Sequence, residues 1–380
     1  MNSIILNKLL IFLKIKKNWK KPVRAKIIIY DHLLSRYFEK YIAKEDYVIY
    51  HNRLTADSEI NIFVILRCFL NFDFKLKSYK KIFFTYVSPK IVITMYDNNP
   101  AFFRLKKEFP NLITVAIQKG WKFDTQSDLI YHRHNKKDLN YECDYYFCYN
   151  KFVAEIFSQF IKIKKIFVIG SFLSNTIKIE KKQKDYIVYI SQWRNYRKKE
   201  IFHKKLTIGD WQKNEKLFLL KLYEFVNENN LNLKILGKTY LTNYKEKLFY
   251  NDIFGKNYEF IDQHYDRNHY KILDGAKLTV SLDSTLAYEN LARGNKTIFF
   301  LIRNNKKINF DMIRFCWPER KNETGPNWTN SLSKDEFKRL FSIIDLPDLD
   351  WKEIYEKNFK ETVIYDQNNS KFVNLLKEYS

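Results

Sequence analysis

The sequence predicts an α/β protein made of two doubly wound parallel-sheet halves facing a cleft, followed by a helical tail. Three observations carry that prediction. Short apolar runs alternate with amphipathic stretches from Ala25 onward, the mark of βα units and parallel sheets. The alternation stops over residues 176–185 (TIKIEKKQKD), which are charged and lack an apolar period, and then restarts. Gly120, Gly170 and Gly237, three of only eight glycines, stand just after predicted strands. There the backbone of a doubly wound sheet turns tightly or approaches a ligand, although ordinary turn chemistry accounts for some of these positions.

The elements follow in order. Lys26–Tyr30 (KIIIY) reads as the first strand, with a helix through Tyr41. Tyr47–Tyr50 is a second strand and Ile60–Phe72 a helix. Ile91–Met95 (IVITM) is a buried strand ending in the turn Asp97-Asn98-Asn99-Pro100, with a helix to about Glu108. Leu112–Ile117 leads into Gln118-Lys119-Gly120-Trp121. Tyr145–Tyr149, a helix from Phe152 and Ile166–Ile169 complete the first half. The second half reads as strands at Tyr186–Ile190, Leu233–Leu236, Tyr258–Ile261, Leu278–Ser281 and Thr297–Leu301. Helices from Asn214 to Asn229, near Tyr244, through Leu273 and from Ser284 to Ala292 lie between them. The expected organisation is a basic amphipathic segment over 1–24, an N-terminal domain over 25–178, a C-terminal domain over 184–330, and helices over 331–380 packing back on the body. Two such halves leave a cleft, a common ligand location.

Composition narrows the function. The chain has 380 residues, 46% hydrophobic and 17% aromatic, which excludes a disordered chain. No apolar run reaches the roughly 18 residues of a membrane span; Lys8 and Arg67 interrupt the two best. The net charge of +24 points to an anionic partner: nucleic acid, a membrane surface or a phosphorylated substrate. An AT-rich coding bias explains the excess equally, since 53 of the 67 basic residues are lysine. No zinc-finger spacing, basic-zipper pattern or RNA-binding aromatic signature occurs, so no nucleic acid is expected. Cys68, Cys143, Cys148 and Cys316 show neither metal spacing nor a disulfide framework, and no cleavable leader is evident, which fits a reducing cytoplasm. Eight basic residues precede Asp31, interleaved with Ile, Leu, Phe and Trp19. Residues 1–24 can therefore lie on an anionic membrane surface, or form a basic tail or a first helix packed on the body.

The segment Leu278–Phe300 (LTVSLDSTLAYENLARGNKTIFF) bears most directly on chemistry. A strand runs into Ser281-Leu-Asp-Ser-Thr285 and a helix opens with hydroxyl residues in its first turn. Free amides, the helix dipole and two hydroxyls make an anion site there. Glu289 stands one turn beyond Thr285 on the same face, placed to accept hydrogen bonds from a ribose. Simple capping by Ser284 or Asp283, with a solvated Glu289, is the alternative.

This strand, S-x-x-S-T, Y-E-x-L-A-x-G, strand pattern resembles the donor-binding segment of GT-B glycosyltransferases. IVITMYDNNPAFFRL at 91–105, VAIQKGW at 115–121, IGSFLSN at 169–175, YISQWR at 189–194 and the run from Cys316 to Trp328 resemble one bacterial group of that superfamily, the surface-carbohydrate biosynthesis proteins. Lys119 departs from the Asn expected in that group's Q-N-G turn. The resemblance implies two Rossmann-like domains, with a glycan acceptor in the N-terminal half and a nucleotide-sugar donor in the C-terminal half. Carried over, Ser284 and Thr285 hold the donor phosphate and Glu289 the ribose. Ser191, Gln192 and Arg194 face the phosphates from the other side, Arg194 through its bidentate fork, with Lys238 a weaker case. Asp262–Asp266 could border the nucleobase.

Asp97 is the expected base for an inverting transfer, with Asn98, Asn99, Gln118 and Trp121 contacting the acceptor. Capping of the helix at Pro100 is the competing role for Asp97. His132 and His134 are alternative bases or surface residues. Asp348-Leu-Asp350 mimics a metal motif of the other glycosyltransferase fold, yet it sits beside Pro347 in the tail and reads as a helix start. The sequons at Asn322, Asn327 and Asn368 carry little meaning without a leader. The expected enzyme is metal-independent and without cofactor, cytoplasmic or peripheral at the inner membrane face. It would transfer sugar to a glycan or lipid-linked glycan in surface polysaccharide synthesis, with the donor's CMP, UDP or GDP carrier unresolved. The rivals are a CDP-polyol phosphotransferase and a non-catalytic binding protein of the assembly machinery.

Overall fold

The computed structural model describes residues 13–380 apart from 54, 56, 74, 122–140, 181–184, 194–200, 203–205, 239–242, 263–267, 303–323 and 380. The first half holds β1 (Ile27–Tyr30), β2 (Tyr47–Tyr50), β3 (Ile91–Thr94), β4 (Ile113–Ile117), β5 (Glu142–Cys148) and β6 (Lys162–Val168). They form one parallel sheet in the order β2-β1-β3-β4-β5-β6. The second half holds β7 (Ile187–Ile190), β8 (Leu233–Leu236), β9 (Glu259–Ile261), β10 (Leu278–Ser281), β11 (Thr297–Phe300) and β12 (Trp328–Thr329). Its order is β9-β8-β7-β10-β11-β12, again all parallel. Counted within the half this is 3-2-1-4-5-6, with the switch point between β7 and β10.

Both faces of each sheet are covered, which is why the central strands read as unbroken apolar runs. In β1, Ile28 and Tyr30 face one layer with Phe83, Phe84 and Val87, while Ile27 and Ile29 face the other with Phe372 and Leu375. The second sheet is sandwiched in a single larger cluster that also takes in Trp121 and Tyr149 from the first half. The helices used below are α1 (Ile62–Leu70), α2 (Leu76–Val87), α3 (Lys151–Ser158), α4 (Ile208–Glu228), α5 (Thr285–Ala292), α6 (Lys334–Phe341), α7 (Asp348–Asn358) and α8 (Ser370–Tyr379).

Two helical expectations are corrected. The stretch after β1 holds no helix to Tyr41, only a 3-10 turn at Ser35–Tyr37. An unanticipated helix, α2, buries Lys80, Phe83, Phe84 and Val87; Lys80 lies on that face because Glu108 meets its ammonium at 2.6 Å.

The tail crosses between the halves. Phe337, Leu340 and Phe341 of α6 join the second core, and Trp351 of α7 donates its indole N–H to the Gly294 carbonyl at 3.1 Å. The chain then returns to the first half. Asn150 Nδ2 donates to the Thr362 carbonyl at 3.1 Å, Gly170 bridges to Tyr365, and Phe372 and Leu375 of α8 seat against β1 and β5 residues.

Candidate active site between the halves

Every strand of both sheets is parallel, so each half collects its loops at the carboxyl ends of the strands. In the first half, β3 ends in Asp97-Asn98-Asn99. Asn99, directly before Pro100, caps the following turn by accepting the Ala101 N–H at 3.0 Å. Asp97 is fully buried and accepts the Lys119 N–H at 3.3 Å and the Tyr146 hydroxyl at 3.1 Å. Burial, and then this carboxylate, push the Tyr146 phenol well above its ordinary range, so it stays protonated and donates. Asn98 is half-buried beside them.

After β4, the Gln118 side chain folds onto its own turn. Its amide donates to the Gly120 carbonyl at 2.8 Å, and its oxygen accepts the Tyr149 N–H at 3.0 Å. The turn so held meets the other half. Trp121 N–H donates to Thr285 Oγ1 at 3.3 Å, and the Trp121 ring stacks on Tyr288 at 4.2 Å with 9° between planes. A methyl at Gly120 would lie 3.7 Å from Thr285 Oγ1.

In the second half β10 delivers Ser281, whose hydroxyl accepts the Ser284 N–H at 3.2 Å. Ser284 is the cap residue of α5, yet its side chain makes no capping bond, and Ser284 and Thr285 are half-buried. Glu289, one turn on, accepts three hydroxyls: Tyr149 at 2.9 Å, Ser171 at 2.6 Å and Tyr270 at 2.7 Å. Tyr149 and Ser171 come from the first half. The carboxylate thus ties the two halves together, and burial followed by its charge holds the Tyr149 phenol far above the usual value.

Beyond β7, Ser191 sits in a buried network: its hydroxyl donates to Glu246, and Tyr250 donates to it at 2.7 Å. Glu246 also accepts the Lys238 N–H at 2.9 Å. Gln192 is 8% exposed, and its Oε1 has no hydrogen-bond partner among the described residues; the indole N–H groups of Trp121 and Trp193 are likewise buried and unpartnered. Buried polar groups of this kind are normally satisfied by water or ligand. Arg194, His132, His134, Asp266, Cys316 and Asn322 lie outside the described residues.

Sequence reasoning missed several members of this region. Tyr149, Ser171, Tyr270 and Glu246 carried no signal beyond Ser171's place in IGSFLSN. Asp31, just past β1, has φ +110° although it is not glycine, and is 3% exposed. Its carboxylate meets Arg53 Nε at 3.0 Å, and the Arg53 guanidinium lies 3.8 Å from the Tyr96 ring centre, with Lys119 Nζ 4.8 Å from the same ring.

The remaining candidates fall apart spatially or chemically. Asp262 is exposed, and Asp348 and Asp350 occupy the first turn of α7, as a helix start requires. Asn327 is fully buried and donates to the Thr297 carbonyl at 2.7 Å, so its sequon is inaccessible. Among the described residues no group of three His, Cys, Asp or Glu side chains could hold a metal ion. Cys68, Cys143 and Cys148 are free and buried, and burial pushes the Cys143 and Cys148 thiols up to about 12.

Residues 115–380 match a protein-family model described as "putative O-antigen biosynthesis protein". The chain belongs to that family. None of the curated proteins matches it. Among solved structures it is similar to the UDP-GlcNAc 2-epimerase of Methanocaldococcus jannaschii in complex with UDP-GlcNAc and UDP. That match has a TM-score of 0.51 and 14% identity, and covers 94% of this chain and 100% of the other. It is also similar to the wall teichoic acid polymerase TagF, at a TM-score of 0.49 and 12% identity, over 94% and 90% of the two chains. At 14% identity the likeness to the epimerase is one of fold, and the fold is GT-B: two Rossmann-like halves with a tail returning to the first. The family membership places the chain in surface-glycan biosynthesis.

Proposed function

We propose that this member of the O-antigen biosynthesis family is a glycosyltransferase that moves a sugar from a nucleotide-sugar donor to a glycan or lipid-linked glycan acceptor of a bacterial surface polysaccharide. The observation that carries the reading is the contact of the Gln118–Trp121 turn with Thr285 at the start of α5. It brings the two ligand-gathering loop clusters of the fold to one place. The epimerase of the same fold, solved in complex with UDP-GlcNAc and UDP, supports a nucleotide-sugar as the donor class.

In this reading the donor's phosphates lie against the free amides of α5, with the Ser284 and Thr285 hydroxyls as further donors. Ser191, Gln192 and Lys238 approach from the β7 and β8 loops, Arg194 is a further phosphate partner proposed from the sequence alone, and Glu289 takes the ribose. When the bond between the anomeric carbon and the phosphate breaks, negative charge grows on the nucleotide, and oriented amides and hydroxyls stabilise it. The acceptor lies toward Asn98, Asn99, Gln118 and Trp121, and its hydroxyl proton passes to Asp97. For that transfer Asp97 must exchange one of its present hydrogen-bond partners for the acceptor.

The experiment is a thermal-shift screen with UDP, GDP, CMP and CDP, followed by turnover assays. One nucleotide is expected to raise the melting temperature, and Glu289→Ala to weaken that response about tenfold or more. Asp97→Asn, which keeps the side chain's size, is expected to abolish transfer while leaving nucleotide binding unchanged. Indifference to all four nucleotides overturns the donor assignment, and full activity in Asp97→Asn overturns the base.

A further inference from the structure

Away from the cleft, helix α1 and the turn after it present an exposed apolar surface. α1 reads IFVILRCFL, with Arg67 its single charge. Val64 and Cys68 turn inward, one turn apart, and satisfy the core. The opposite stripe is just as apolar. Leu66, Phe69 and Leu70 are 51%, 54% and 68% exposed, and Phe72 and Leu76 beyond the helix reach 88% and 75%. A helix that is apolar on all sides is ordinarily buried in protein or lipid.

The backbone gives an independent sign. Phe72 has φ +51° at the end of α1, the left-handed position that glycine or asparagine normally fills. A phenylalanine held there with almost nothing to pack against gains no stability from its own fold. Strain kept at an exposed aromatic points to a use outside the fold.

Charge says what the surface meets. α2 starts in the patch at Leu76 and carries Lys77 and Lys81 along one side. Together with Arg104 and Lys107 they line a cavity of about 450 Å³ that begins one residue beyond Leu76. The carboxylate in that cavity, Glu108, is already paired with Lys80 at 2.6 Å, and the Arg104 guanidinium lies over the Tyr141 ring at 5.6 Å, which leaves the exposed Lys77, Lys81 and Lys107 to act outward. On the other side of α1, Lys16–Asn18 pairs with Glu59–Asn61, and Asn61 Nδ2 binds the Lys20 carbonyl at 3.0 Å, so the basic N-terminal stretch with exposed Trp19 enters beside the helix.

We propose that this face docks on an anionic phospholipid bilayer. Leu66, Leu70, Phe72 and Leu76, with Phe72 at the tip, enter the acyl boundary, and Lys77, Lys81 and Lys107 take lipid phosphates. No helix among the described residues is long and apolar enough to cross a membrane. The inference goes beyond residues 1–24 as the contact and is independent of the transfer reaction, because vesicle binding is read without donor or acceptor.

The test is co-sedimentation of the full chain with phosphatidylcholine vesicles, with and without phosphatidylglycerol. Binding is expected only when phosphatidylglycerol is present, and to fall as salt rises. Phe72→Gly relieves the left-handed strain and is expected to keep or raise the melting temperature, yet to weaken binding severalfold. Leu70→Glu combined with Phe72→Gly is expected to weaken it roughly tenfold or more, and Lys77→Gln with Lys81→Gln to remove the preference for anionic lipid. Equal binding by all these variants, as residues 1–24 acting alone would give, overturns the proposal. So does a dimer in solution that the Leu70→Glu substitution dissociates, since the patch would then belong to a second copy of the chain.

Discussion

A carboxylate offers about four lone-pair directions, and Glu289 already gives three of them to Tyr149, Ser171 and Tyr270. If it is also to receive a ribose, the hydroxyls of the first half and those of the nucleotide compete for the same oxygens. Tyr149→Phe with Ser171→Ala is therefore expected to tighten nucleotide binding, by about tenfold or more, because a hydrogen bond to a charged group contributes roughly 1.5–3 kcal/mol. Titration calorimetry decides it: unchanged or weaker affinity means that Glu289 serves only to join the halves. The sequence supplied Glu289 through its spacing from Thr285 but not its partners, since Tyr149 and Ser171 are more than a hundred positions away and hydroxyls carry no pattern. It also left Asp97 between two roles. The structure gives the cap to Asn99, because the residue directly before a first-turn proline has the extended backbone a cap needs. Three adjacent capping residue types could not be ranked from the sequence.

At the scale of elements, buried parallel strands announce themselves as apolar runs, so β1, β3, β7 and β10 were legible nearly to the residue. β6 was read only from Ile166, because the first half of this edge strand is mostly exposed and carries Lys162, Lys164 and Lys165 instead of an apolar run. α2 escaped because a lysine occupies its inner face, tolerable only next to a glutamate that lies 28 positions away. Glycine positions divide in the same way. Gly170 (φ +70°) has the Ile364 carbonyl oxygen 1.7 Å from where a Cβ would sit, whereas Gly255 (φ +60°) faces open space. Gly255→Ala thus meets backbone strain alone, about 1 kcal/mol. Gly170→Ala must also push the returning tail off the first half, and is expected to cost several times as much in urea unfolding; equal losses would mean the tail yields freely. At the end of β2, burial and then the neighbouring His32 ring, stacked at 4.7 Å, depress His51 to about 4, with Lys16 acting in the same direction and Glu59 against it. Its folded pKa lies below the unfolded value of roughly 6.5, so the unfolded chain binds the extra proton between those limits. Stability contributed by neutral His51 is present above about pH 6.5 and is lost as the pH falls toward 4. His51→Gln is expected to flatten that part of the stability profile, measured by denaturant titration at successive pH values.

Across the whole molecule, two repeated βα series were readable, but what holds them together was not. Arg293, just past α5, is enclosed with Asp274, both side chains fully buried, at 2.8 and 2.5 Å. Its remaining N–H groups reach the carbonyls of Ser174, Ile177 and Lys178, where the first half hands the chain to the second. One guanidinium therefore neutralises a buried acid and caps the connecting segment, a task that suits its planar fork and not a lysine. Nothing in the sequence separates it from the other basic residues, because its partners lie on two distant segments. Arg293→Ala strands Asp274 without charge compensation and is expected to destabilise the protein by about 3–5 kcal/mol. Replacing the pair together, Arg293→Met with Asp274→Leu, removes the stranded charge and is expected to recover at least half of that loss. Should the double variant be as unstable as Arg293→Ala, the carbonyl contacts to residues 174–178 would carry the stability instead. The joint between the halves would then be held by the main chain it caps and not by the buried ion pair.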